Sequence, residues 1–147
     1  MSPKNQYSEA NSASLKELSG FVASLTDTQL TTAMPAGWTV SAVLVHLAFW
    51  DFRAITLIKK WLTEGISTSP NDIDIVNEAT RPFFAAVEPR RAVALSLDYA
   101  RQLDELVDSL DPAFLQAIEE QGKTVRLDRS RHRTMHMNDI KAALGTK

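Results

Sequence analysis

The sequence predicts an all-α protein, a four-helix bundle, and three observations carry that expectation. Apolar residues recur at helical spacing through most of the 147 residues. No clear alternating run and no Asn-Gly or Asp-Gly hairpin turn appears. Caps and breakers fall where helices of bundle length would start and stop. The length suits one domain over 1–147, long enough to bury a core without disulfides or a structural metal.

The first helix is expected from about Ser8 to Leu25, with Leu15, Leu18, Phe21, Val22 and Leu25 on its apolar stripe. A short turn at DTQL and the breakers MPAG follow, and Thr39 is a good N-cap for the second helix. That helix should run from about Val40 to Glu64 and stop at Gly65. It is apolar nearly all round, so it is either central or also faces a partner chain. A third helical stretch begins near Ile73 and reaches about Val87, with Pro82 able to kink or end it. Pro89 reads as a first-turn proline opening a continuation to about Leu110. Asp111-Pro112 starts a short helix, and Gly122 breaks it. The last helix is expected from about Arg131 to Leu144, capped by Ser130 and stopped by Gly145.

The chain has no cysteine, which excludes disulfides, thiolate nucleophiles and thiolate metal ligands, and fits a reducing cytoplasm. A net charge of −2 speaks against a broad electrostatic footprint for nucleic acid. The longest apolar stretch, residues 40–58, approaches membrane-spanning length. His46, Asp51 and Arg53 interrupt it, and such groups are costly at a bilayer centre. A buried helix of a soluble cytoplasmic protein is therefore expected, with no membrane and no nucleic acid among its partners. A DNA-associated protein is a third, weaker reading that salt-sensitive DNA binding would be needed to revive.

Two of the three histidines, His132 and His136, lie four apart in RHRTMHMNDI. On a helix this spacing puts both rings on one face, where two imidazoles can hold one metal ion. The third, His46, sits among Val43, Leu47 and Trp50 on the most apolar helix. If the last helix packs beside the second, three imidazoles converge, and three ligands with an open position is the pattern of a catalytic zinc site. Imidazole ligation also suits nickel, copper and iron. The competing reading is a hydrogen-bonded core histidine and an unrelated surface pair.

GWTVSAVLVHLAFWDFR resembles the second-helix motif of the DinB/YfiT-like superfamily: a tryptophan (Trp38), a capping Thr39, and the pair His46-Leu47. RHRTMHMNDI is similar to that family's last-helix histidine pair followed by isoleucine. The order, the gap between the motifs and the chain length also fit. The resemblance implies a four-helix bundle with a long crossover between helices 2 and 3. It implies a divalent metal, zinc or nickel, on His46, His132 and His136, and a homodimer through the apolar second helix. Relatives include transferases and isomerases that use a low-molecular-weight thiol activated by the metal. IDIVNEA resembles the Asp-x-x-Asn segment of thiol-using relatives, which would make Asn77, with Asp74, a cofactor-binding position. The chain ends at Lys147 without the extra C-terminal domain of the mycothiol-dependent isomerases, which weighs against that activity.

Lys123, Arg126, Arg129, Arg131 and Arg133 crowd the approach to the last helix, where cations oppose the helix dipole. The favoured reading is a solvated surface run, with attraction of an anionic substrate as the alternative. Trp50 and Trp61 share a helix face and suggest core or dimer packing. Asp51 is about 140° round the helix from His46. It is therefore expected to pair with Arg53, another helix or a dimer mate. The function expected is a metal-dependent enzyme acting on a small molecule, a thiol-dependent S-transferase or a hydrolase. The alternative is a non-catalytic dimeric binding or stress-response module whose metal is structural or absent.

Overall fold

The structure is a computed structural model that describes residues 4–122 and 125–145. Among these residues there are seven α-helices and one isolated β-bridge, between Ala33 and Thr39. The helices are α1 (Ser8–Ala23), α2 (Asp27–Leu30), α3 (Val40–Glu64), α4 (Ile73–Ala85), α5 (Pro89–Ser109), α6 (Pro112–Glu120) and α7 (Ser130–Leu144). The protein is all-α. Helices α1, α3, α5 and α7 form the bundle, α4 lies in the connection from α3 to α5, and the most extensive packing is α3 on α5.

Local chemistry sets the boundaries. Thr39 Oγ1 accepts from the Ala42 amide and opens α3, and Gly65 closes it at φ 90°. The Asp72 side chain caps α4, and Asp111 caps α6. Thr26 and Gln29 form a reciprocal capping box on the short α2. Pro89 pushes Glu88 into extended backbone, which separates α4 from α5. Pro82 is carried inside α4 and does not end it. Ser130 is not the cap of α7. Arg129 takes the cap position without a side-chain cap bond, so Ser130 is the first helical residue and its hydroxyl donates to Asp128.

Two apolar clusters fix helix direction. Val40, Val43, Leu44 and Leu47 of α3 pack in one cluster with Ala92 of α5, Leu18 and Val22 of α1, and Met137 and Ile140 of α7. Ala54, Ile55, Ile58 and Trp61 pack in the other with Leu103, Val107 and Leu110. Helices α3 and α5 are therefore parallel, and a parallel neighbour requires the long crossover that contains α4. This accounts for the all-round hydrophobicity of α3. By length and composition it could cross a membrane, yet 67% of its most apolar window is buried within the fold. On α3, Phe52 and Leu62 remain about half exposed.

Candidate metal centre

Helix α7 is held at a fixed rotation by two arginines on its inner side. Arg133 is 1% exposed and forks onto Asp104 of α5, with Nη2 to Oδ1 at 2.7 Å and Nη1 to Oδ2 at 2.9 Å. Its Nη1 also donates to the Asn11 carbonyl and to Ser14 Oγ on α1. One turn earlier, Arg129 donates from Nε to Asp51 Oδ1 of α3 at 2.9 Å, and both residues are buried. Buried charges must be paired and hydrogen-bonded. Both pairs form at one register of α7, and of the guanidinium nitrogens in them only Arg133 Nε is buried without a partner among the described residues. Burial raises the Asp51 and Asp104 carboxyls, and the facing guanidinium pulls each back down.

That register turns His132 and His136 toward α3 and His46. The ring centroids lie 5.4 Å apart for His46–His132, 4.8 Å for His46–His136 and 4.7 Å for His132–His136. One nitrogen from each ring can be chosen so that all lie within 4.8 Å of one another. The Nε2 atoms of His132 and His136 are 3.2 Å apart. Two nitrogens bound to one tetrahedral zinc would be separated by about 3.3 Å. His46 Nδ1 is buried and has no hydrogen-bond partner among the described residues. Such a group is costly unless something else satisfies it. The donor set, the spacing and the orphaned nitrogen all fit a divalent metal.

Electrostatics keep the rings neutral, the form in which imidazole binds metals. Burial lowers the His46 pKa to about 4, with His136 and Arg129 adding to the effect. Burial lowers His132 to about 2, with the Arg129 charge next in importance. His136 is lowered by burial and partly restored by Asp139, whose Oδ2 lies 3.6 Å from His136 Nδ1.

Aromatic rings wall one side of the cluster. Trp38 packs edge-on to His46 at 5.5 Å and lies 6.2 Å from Phe84. Phe84 meets Phe49, which meets Trp50. The Trp50 indole donates to Asn77 Oδ1 at 2.9 Å. Asn77 is thus tied to the same wall as His46, while Asp74 is exposed. Trp38 is delivered by a tight turn in which Ala36 adopts φ 72°, and the Ala36 carbonyl accepts from Arg81 at 2.9 Å. A non-glycine residue in that region is strained.

Residues 12–144 match the family model for the mycothiol maleylpyruvate isomerase N-terminal domain. The chain belongs to this family. The family falls within the DinB/YfiT-like superfamily, as the Trp38–Leu47 and His132–Ile140 motifs suggested. The comparison with curated proteins returned no match, and neither did the comparison with solved structures.

The basic run before the last helix of this DinB-like chain is not a solvated surface throughout. Arg129 and Arg133 are 6% and 1% exposed, not part of a solvated surface. Arg126 and Arg131 are exposed, and Lys123 lies outside the described residues. Asp51 pairs not with Arg53 but with Arg129, the residue at the N-terminal cap position of α7, and Arg53 instead donates to the Ser69 carbonyl. Arg133 shares a helical stripe with Met137, Ile140 and Leu144, a placement that signals burial.

Proposed function

We propose that the protein is a divalent-metal-dependent enzyme acting on a small molecule, with His46, His132 and His136 as the metal ligands and zinc or nickel as the metal. The observation that carries this reading is the convergence of three neutral, mostly buried imidazoles around one point. Such a metal would lower the pKa of a thiol or water at its open position and make a nucleophile near neutral pH. The chain's own contribution is to fix the rings through Arg129 and Arg133 and to shield one flank with Trp38, Phe84 and Phe49.

Membership of a family named for a mycothiol-dependent isomerase supports a low-molecular-weight thiol as co-substrate, and so favours S-transfer or thiol-assisted isomerisation over hydrolysis. Asn77, set by Trp50, is the proposed cofactor-binding residue on α4. The half-exposed Phe52 and Leu62 of α3 are the proposed contacts of a homodimer. A cytoplasmic location accords with the absence of cysteine.

The test is a screen of zinc- and nickel-loaded protein against small electrophiles with and without mycothiol, bacillithiol or glutathione. Turnover that needs both metal and thiol is expected. Turnover with metal and water alone would replace S-transfer by hydrolysis. Stoichiometric metal binding with no turnover and a large loss of stability on chelation would favour the non-catalytic module.

A further inference from the structure

One stripe of α4 organises the aromatic flank of the histidine cluster. Asn77, Arg81 and Phe84 follow at i, i+4 and i+7 and so share a face of that helix. Asn77 Oδ1 accepts from the Trp50 indole at 2.9 Å, and the Phe84 ring lies 6.2 Å from Trp38 and 5.4 Å from Phe49. Arg81, between them, reaches back 45 residues and donates from Nη1 to the Ala36 carbonyl at 2.9 Å. Phe84 is the buried residue of α4. The helix is therefore seated by a few specific contacts, and Arg81 supplies the charge-assisted one.

The turn that Arg81 holds is not one its residues choose by themselves. The Met34 carbonyl accepts from the Gly37 amide at 3.2 Å, with Pro35 and Ala36 between them. Ala36 has φ 72° and ψ 7°, the left-handed conformation that glycine fills at the second central position of a type II turn. Alanine there carries the steric penalty of its Cβ. Such a residue persists when its surroundings over-determine it. The base of the turn is tied within itself, since the Met34 amide donates to the Trp38 carbonyl. Among the described residues, Arg81 is the side chain hydrogen-bonded to its tip. Trp38 leaves this turn and packs edge-on against His46 at 5.5 Å.

We propose that Arg81 is a positioning residue. It pins the Met34–Trp38 turn to α4 and so seats Trp38 on His46, on the flank where the apolar part of a substrate would lie. Trp38, Phe49 and Trp50 are each only partly buried, so that flank is a surface a ligand can touch. The part played at the metal rests on the metal reading given above. The seating of Trp38 does not.

Two measurements test it. The first is fluorine NMR of protein labelled with 5-fluorotryptophan, which gives a signal for each of the three tryptophans, assigned by replacing each in turn with phenylalanine. Trp61, buried in the other apolar cluster, is the internal reference. Arg81→Ala should move the Trp38 signal toward that of the free amino acid and leave the Trp61 signal in place. Arg81→Lys keeps a charged donor and should hold the Trp38 signal near its wild-type position. A Trp38 signal unmoved by Arg81→Ala would overturn the proposal, and so would a displacement that lysine does not reduce.

The second is the rate at which excess chelator removes zinc from the wild type, Arg81→Ala, Trp38→Ala and the double variant. Each single variant should release zinc at least about twofold faster, the low end for residues coupled through contact. The double variant should be no faster than Trp38→Ala alone, because Arg81 acts through Trp38. Independent, additive effects would contradict that route. If the wild type takes up no zinc, the metal reading fails, and the fluorine spectra still decide whether Arg81 seats Trp38.

Discussion

Arg133 of α7 and Asp104 of α5 form a two-bond ion pair in the interior of the bundle, 29 residues apart in sequence. The pair sets how α7 is rotated and therefore where His132 and His136 point. Removing one partner leaves an uncompensated buried charge. Arg133→Met should cost about 3–5 kcal/mol of stability. Urea denaturation checks this, and a change under about 1 kcal/mol would mean that water reaches the carboxylate.

Acid should destabilise the fold through the histidines. His46 has a folded pKa lowered to about 4 and His132 one lowered to about 2, from 6.5 in the unfolded chain. The unfolded state therefore binds more protons at mildly acidic pH. Stability from these groups is fully present above about pH 6.5 and falls as pH drops toward 4. The triple variant His46→Gln/His132→Gln/His136→Gln should flatten this part of the Tm-against-pH curve. An unchanged slope would assign the acid response to Asp51, Asp104 or other carboxylates.

Chelation should lower Tm without unfolding the protein. The two apolar clusters and the Arg133–Asp104 pair do not involve the metal ligands. Metal at a hundred times its Kd would add only about 2.7 kcal/mol. Thermal unfolding with and without chelator reads this directly, and loss of helical circular dichroism on chelation at 25 °C would mark the metal as structural.

Thr39 links the Trp38 turn to the start of α3. Thr39→Ala removes the 3.1 Å bond to the Ala42 amide and should cost about 1 kcal/mol. A chemical denaturation midpoint that does not move would show that the first turn of α3 finds another acceptor.

Local signals made most of the helices legible. Thr39, Gly65, Pro89, Asp111 and Gly145 act where they stand, through capping, backbone conformation and proline geometry. The histidine pair was legible because spacing on a helix is also local. His46 reaches the pair only through packing of α3 on α7, which no spacing encodes. The burial of Arg129 and Arg133 is not encoded locally for the same reason. Charge runs are usually solvated, and Arg129 is buried only because Asp51 meets it from 78 residues away. The hint was placement: Asp51 inside an apolar helix, Asp104 beside Leu103 and Val107, and Arg133 on the stripe of Met137 and Ile140. Buried positions of opposite charge on different helices are candidates to be partners.

The three-histidine site is tested most directly by the metal content of tag-free protein, measured by mass spectrometry on the wild type beside His132→Ala/His136→Ala. About one equivalent of zinc or nickel in the wild type, absent from the variant, is the result the three-histidine site predicts. No metal in the wild type after reconstitution with either ion would contradict it.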